Sequence, residues 1–396
     1  MKKISRVFVP VCFAAVLLIL MAATILRPME YSSYFENRDL AAFPQLTAQS
    51  LMDGSFFTGL ERFFTDHSAG RNSLLKIKTK LDMDVLKLPV VNTVVVTDDY
   101  LLPYNGYDMP SDTEIDEMAG NIAENLAGID ALVDSYGGEY YYVAVPNQSY
   151  MQSGQYPWFL DSRRETFGKY VAALSGKLEQ AGVKFIDVGE SYAALGDPGY
   201  LTSPVDNHFS AYGAFVTYQA VMDRINADTG LGLRVCRDED MVFYEMPDYY
   251  MGSRTQMVMN LRKNSDHLTL IYPKETVPFT RCDNGSQVES SVFQMPAEEA
   301  RWATYGVYMG GDIAETVINT GRAELPSILV YGDSFTNGVE CIIYNSFGVM
   351  RSLDLRHYED MTLGDYIEMY KPDVVVCIRD YASLLDTANN GSGVDG

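Results

Sequence analysis

The stretch "SILVYGDSFTNG", Ser327 to Gly338, carries an apolar run straight into Gly332-Asp333-Ser334. A short apolar run that ends on such a turn reads as a strand buried on both faces, as in parallel sheets. In open α/β sheets, ligands and nucleophiles sit just outside the carboxyl ends of strands, which is where Ser334 falls. Gly332 permits a tight turn and close backbone approach, so Gly332 and Ser334 are candidates for receiving a developing oxyanion. The same residues also suit a plain strand-to-helix loop in which Ser334 is an N-cap.

Other segments repeat the apolar pattern. "EYYYVAVP" (Glu139 to Pro146), "VKFIDV" (Val183 to Val188) and "DVVVCIR" (Asp373 to Arg379) read as further strands. Helices alternate with them. Ser111 and Glu114 form a capping box, and Ile115, Met118, Ile122, Leu126, Ile129 and Leu132 follow at helical spacing up to Gly137 and Gly138. Further helices are expected from about Glu165 to Ala181, from Tyr212 to about Asn226, and around Asp365. Nearer the N-terminus, helical periodicity runs through Leu51, Phe56, Leu60 and Phe64, and Gly70 separates it from a second helix. This alternation predicts an α/β fold, a mostly parallel sheet with helices on both faces. Residues 234–325 break the rhythm with short segments such as "MVFYEM" and "HLTLIYP", and are expected to form a β-rich insertion within a main domain at 54–386. Residues 28–53 read as a linker, and the tail at 387–396, "TANNGSGVDG", as disordered.

Composition excludes some functions. With 30 Lys and Arg against 53 Asp and Glu, the net charge of -23 argues against nucleic acid, whose binders need a basic face. The 28 tyrosines suit sugar recognition, though Tyr is also ordinary strand material. Residues 1–27 stand apart. Lys2, Lys3 and Arg6 precede the uncharged run Val7 to Leu26, whose length as a helix, about 30 Å, matches a bilayer core. The basic flank predicts an uncleaved anchor with the rest of the chain outside the cytoplasm, and the alternative, a signal peptide, leads to the same side. Cys236 and Cys282 are candidates to pair in an oxidising compartment, while Cys377 lies in an expected core strand. No Cys/His grouping has metal-site spacing.

A second stretch, "SPVDNHFSAYGAF" (Ser203 to Phe215), places Asp206 two residues before His208 in a chain with only four histidines. Two readings are open. Asp206 caps the coming helix and His208 is a surface residue, or the pair serves Ser334. A serine hydroxyl needs an adjacent base, imidazole titrates in the right range, and a carboxylate can hold the ring in one tautomer. A metal site on Asp206 and His208 lacks further ligands nearby in sequence. His67 and His267 lie in polar stretches and are expected to be solvated. Arg356, in "DLRHY" with His357, offers donors to a carboxylate or oxyanion, or pairs with Asp354.

Several separated pieces now fit one pattern. "ENRDLAAFP" (Glu36 to Pro44), "LMDGSF", "FFTDHSAGRN", "VVVTDDYLL", "VAVPNQSYM", "VDNHFSAYGAFVTY", "YGVYMGGD", "LVYGDSF" and "DLRHY" appear in the order seen in the bacterial DHHW-motif proteins, which the chain resembles from about Glu36 to Leu385. Those proteins are related to the alginate O-acetylation proteins with an SGNH-hydrolase-like domain. The resemblance implies an SGNH-like fold without a cofactor, with Asp206 as acid, His208 as base and Ser334 as nucleophile, and with Tyr305, Tyr308 and Arg356 lining the site. It further implies O-acetyl transfer to, or ester cleavage on, a surface or exported polysaccharide, with a membrane-bound O-acyltransferase partner supplying acyl groups. A glycan-binding or assembly protein that keeps the fold without the chemistry is the alternative. The family's Asp-His-His-Trp reads Asp206-Asn207-His208-Phe209 here, so the acid-x-His spacing is kept while its flanks differ, and alginate itself is not implied.

Overall fold

Ile328 to Tyr331 are all buried, so the strand that carries them needs cover on both of its faces. The computed structural model describes the chain except for residues 1, 27, 37, 197, 263–265, 298–299, 389 and 392–396. It divides into two units, Met1–Val94 with Thr255–Lys263, and Val95–Arg254 with Asn264–Gly396.

In the first unit, α1 spans Lys2–Leu26, α2 Ser55–His67 and α3 Arg71–Lys80, the last continued by a π-helical turn at Leu81–Val85. Gly54 and Gly70, both left-handed, start α2 and α3, where a side chain would be strained. The apolar run is thus helical. Among the described residues, however, no helix is long and apolar enough to cross a membrane. His67 departs from expectation. It is buried, packs 4.4 Å from the Phe63 ring, and its Nε2 hydrogen-bonds the Ala41 carbonyl at 3.0 Å. The polar letters around it misled because α2 turns His67 and Asp66 inward, where Arg38 meets Asp66 at 2.6 Å.

The second unit runs α4 (Asp112–Asp134), β1 (Glu139–Val145), α5 (Arg164–Ala181), β2 (Lys184–Asp187), α6 (Ala211–Thr229), β3 (Met241–Tyr250) and β4 (His267–Pro273). It continues β5 (Thr280–Asp283), β6 (Ser286–Val288), β7 (Trp302–Ala303), β8 (Glu315–Asn319), β9 (Ser327–Gly332), α7 (Asn337–Ile343), β10 (Val349–Asp354), α8 (Leu363–Tyr370) and β11 (Val374–Asp380). The main sheet has eight strands in the order β6-β5-β8-β10-β9-β11-β1-β2. From β10 to β2 every pairing is parallel. On one face, Tyr140, Tyr142, Tyr331 and Val375 pack against Leu126 of α4, Leu174 of α5 and Ile367 of α8. The Tyr140 and Tyr331 hydroxyls satisfy each other at 2.8 Å inside that layer. The capping box of α4 forms as expected, with the Glu114 amide donating to Ser111 Oγ and the Ser111 amide to Glu114 Oε2.

The expected insertion is only partly separate. β5, β6 and β8 extend the main sheet by antiparallel pairing, because β10 would otherwise leave its outer edge without hydrogen-bond partners. β3, β4 and β7 do form their own sheet, in the order β7-β3-β4. The tail also differs. Asn390 is fully buried, its Oδ1 accepts the Tyr142 hydroxyl at 2.8 Å, and its Nδ2 donates to the carbonyls of Asp386 and Leu384. A polar side chain is needed there because Tyr142 brings a hydroxyl into the core. The end of the predicted tail, 392–396, lies outside the described residues. All five cysteines are free thiols, so Cys236 and Cys282 are not joined.

Removing the Asn390 side chain should leave buried hydrogen-bonding groups without their partner. Asn390→Ala is expected to cost about 1–3 kcal/mol in urea unfolding. An unfolding midpoint equal to that of the wild type would show that the tail contributes nothing.

Candidate active site

β9, β11 and β1 are neighbours and finish side by side at Gly332, Asp380 and Val145, so their following residues share one end of the sheet. Gly332 is there for space. A Cβ on it would lie 2.5 Å from the Ile378 carbonyl oxygen of β11 and 3.2 Å from the Thr336 side chain. Beyond it the chain folds back, with the Thr336 amide donating to the Asp333 carbonyl at 2.9 Å, and α7 begins at Asn337. Asp333 locks this turn. Its Oδ1 accepts the Phe335 amide at 2.9 Å, and its Oδ2 accepts Arg379 Nη1 at 2.6 Å. Arg379 is almost wholly buried, so its charge requires that carboxylate. Ser334 does not cap α7. Its amide donates to no acceptor among the described residues, and its hydroxyl lies 2.8 Å from His208 Nε2.

The loop that brings His208 there is closed by a two-residue bridge between Thr202 and Phe209. The cap of α6 is Ser210, whose Oγ accepts the Gly213 amide, so Asp206 is not the helix cap. Asp206 instead turns back on its own loop. Its Oδ1 accepts the His208 amide at 3.0 Å and His208 Nδ1 at 2.5 Å, and its Oδ2 accepts the Ser253 amide at 2.6 Å. An ionised carboxylate only accepts, so Nδ1 carries a hydrogen toward Asp206, and Nε2 is the ring nitrogen that faces the Ser334 hydroxyl. Burial works against the Asp206 charge, but the His208 ring and the amides of Ser253 and His208 outweigh it, and its pKa is held well below the usual carboxylate range.

Tyr305 fixes the imidazole plane. The two rings stack at 3.6 Å between centroids and 3° between planes. Tyr308 stands one shell further out, 5.1 Å edge-on from Tyr305, with its hydroxyl donating to the Thr269 carbonyl. Arg356 is paired. Its guanidinium meets Asp354 at 2.6 Å and Asp312 at 3.0 Å, and its Nε donates to Asp354 Oδ1. These two carboxylates hold Arg356 charged, and the structure gives it no hydrogen bond to Ser334 or His208. His357 is half exposed, 3.9 Å from Asp312. His267 is partly buried and its Nδ1 bonds the Asp248 carbonyl.

Four supporting residues escaped the sequence reading. Ser253 supplies its amide to Asp206 and its hydroxyl to Asn207 Oδ1 at 2.7 Å. Gln148, just beyond β1, donates to the carbonyls of Leu101 and Ser203 and accepts Arg254 Nε at 2.8 Å, while the Arg254 amide donates to the Val205 carbonyl. Arg379 holds Asp333. Each lies far in sequence from its partner and has no spacing to reveal it. The two flanks that differ from Asp-His-His-Trp both point into structure. Asn207 is tied to Ser253, and Phe209 is buried 5.2 Å from the Phe335 ring.

Beside this loop lies a cavity of about 390 Å³ with Tyr100, Tyr200, Phe209, Tyr212, Tyr250 and Tyr308 in its walls. It is an aromatic chamber next to the acid–histidine loop, and neither His208 nor Ser334 lines it.

Solved structures share this fold. The chain is similar to Bacillus cereus PatB1, with 19% identity over 74% of this chain and 96% of that one and a TM-score of 0.60. PatB1 bearing a sulfonyl adduct gives a TM-score of 0.59 at the same identity, covering 97% of that chain. A DHHW family protein from Eubacterium siraeum has 19% identity over 77% of this chain and 95% of that one, with a TM-score of 0.55. At this level of identity the likeness establishes the fold. No protein-family model matches the sequence, and no curated protein does.

The depressed pKa of Asp206 has a consequence for stability. Its folded value lies below its unfolded one, so its ionisation stabilises the folded chain above a pH of about 4 and is lost as pH falls through the folded value. Asp206→Asn should therefore lower the urea midpoint at neutral pH, with the gap to wild type narrowing as the pH drops below about 4. A gap that stays constant across that range would remove the charge from the account.

Proposed function

We propose that the chain is a serine-dependent O-acyltransferase or esterase that handles acetyl groups on an extracytoplasmic polysaccharide, and that α1 is its membrane anchor. The observation that carries this reading is the unbroken hydrogen-bonded chain Asp206–His208–Ser334 at the carboxyl end of a central strand. Ser334 Oγ attacks the acyl carbonyl of an ester donor while His208 Nε2 takes the hydroxyl proton, and Asp206 stabilises the imidazolium that results. The oxyanion is received by the Ser334 amide, with Gly332 keeping the strand end open. As the donor alcohol leaves it collects the proton from His208, and an acetyl ester remains on Ser334. A sugar hydroxyl, or water, then gives its proton to His208 and attacks that ester, which regenerates Ser334.

Several features support the reading without deciding between transfer and hydrolysis. The stacked Tyr305 holds the base in register, and the tyrosine-lined cavity suits a carbohydrate. A membrane O-acyltransferase partner would deliver acyl groups to an enzyme kept at the same membrane. PatB1, which shares the fold, has been solved with a sulfonyl adduct. The second reading, a glycan-binding protein without chemistry, draws on the same cavity, whose walls exclude His208 and Ser334.

The test is to treat the full chain with an activated acetyl ester and to digest it for mass spectrometry. Acetyl is expected on the peptide that carries Ser334 and is expected to be absent from Ser334→Ala. Asp206→Asn should reduce kcat for ester turnover by roughly 10⁴-fold. An unlabelled Ser334, together with retained glycan binding that Tyr200→Ala abolishes, would favour the binding protein.

A further inference from the structure

The first unit carries an apolar stripe that its own fold does not cover. Leu74, Ile77, Leu81 and Val85 recur at spacings of three and four along α3 and the turn that follows, Leu88 lies just past that turn, and the five are 66, 57, 49, 67 and 41% exposed. The inward face of the same segment is marked by the buried Thr79 and Asp82. Amphipathic helices normally bury their apolar side, so four large aliphatic side chains in line on the outer side, with exposed Leu88 just beyond them, call for a second surface.

Charge indicates what that surface is. The first 94 residues hold 11 Lys and Arg against 8 Asp and Glu, whereas the rest of the chain holds 19 against 45. On the segment itself Lys78 is paired with Asp82 at 2.6 Å, while Lys76, Lys80 and Lys87 make no ion pair among the described residues. Asp84 is its one exposed acid. Lysines flanking an exposed aliphatic stripe match the interface of an anionic bilayer, where the stems lie along hydrocarbon and the ammonium groups reach the headgroups. Position agrees. The Ala69 amide donates to Thr24 Oγ1 at 3.0 Å, which ties the last turn of α1 to the residue pair that starts α3. The stripe therefore begins where the apolar helix ends.

We infer that Leu74, Ile77, Leu81, Val85 and Leu88 lie in the headgroup region of an anionic membrane, with Lys76, Lys80 and Lys87 at the phosphates, so that this unit rests on the bilayer beside its anchor. The inference rests on the reading of α1 as an anchor and is independent of the chemistry at Ser334.

The test uses the full chain with Cys12 and Cys282 changed to Ser and a polarity-sensitive nitrobenzoxadiazole probe on Ile77→Cys. A second protein carries the probe on Glu165→Cys, whose native side chain is 90% exposed in the other unit. Both are mixed with vesicles of phosphatidylglycerol and phosphatidylcholine in equal parts, or of phosphatidylcholine alone, and then floated. The chain is expected to float. The probe at 77 should shift to shorter wavelength and be quenched by headgroup-labelled nitroxide lipid, more strongly in the anionic vesicles, and the probe at 165 should do neither. Failure to float would overturn the anchor and this docking together. A chain that floats while probe 77 stays in water, or shifts equally in both vesicle types, would overturn the docking alone. A shift seen only in native membrane extracts would assign the stripe to a protein partner and overturn the lipid reading.

Discussion

A carboxylate removed from water must be surrounded by donors, and Asp206 is almost wholly inaccessible. Among its donors are the amide and ring of His208, from its own loop, and the Ser253 amide, brought in from far along the chain. This requirement shapes the surroundings. The segment at Gly252 runs so close to the loop that a Cβ there would lie 2.3 Å from the Val205 carbonyl oxygen. Arg254 then anchors the same loop through the Val205 carbonyl and through Gln148. With Asp206 held in this way, His208 has one orientation, and Tyr305 closes the face of its ring.

The turn that carries Ser334 is built on the same principle with the charges exchanged. Arg379 is a buried cation at the end of β11, and Asp333 is the carboxylate that makes its burial tolerable. Because Asp333 also accepts the Phe335 amide, one carboxylate ties the turn after β9 both to itself and to the end of β11. Behind it Glu340 is buried on α7 and accepts the Ser352 hydroxyl at 2.6 Å, and burial pushes its pKa up. The hydroxyl of Ser334 faces the His208 ring from a turn held by the Asp333–Arg379 pair.

Much of this architecture was legible in the chain. Apolar runs of strand length, the Ser111–Glu114 box and the glycine punctuation follow from local backbone and solvation physics, and β1, β2, β9, β11, α4, α5 and α6 occur where those signals put them. His67 and the tail were less legible. Local polarity suggested solvent for both, yet each is drawn inward by a partner distant in sequence, the Ala41 carbonyl for His67 and the Tyr142 hydroxyl for Asn390. Arg356 was legible as an arginine that seeks anions. Only the neighbouring loops reveal that Asp354 and Asp312 supply them.

The sequence by itself determined the alternation of strand and helix, the strand end that carries Ser334 and the acid-x-His spacing of Asp206 and His208, because each depends on residues within a few positions of one another. Tertiary structure alone decided that Ser210 caps α6, which freed Asp206 from that role, and that Ser334 and His208, separated by 126 positions, meet at 2.8 Å. It also decided that Asn207 and Phe209, the two departures from Asp-His-His-Trp, serve packing and loop fastening. The physical reason is that hydrogen-bond geometry and burial are properties of distances between elements, and these exist only once the sheet has set the elements side by side.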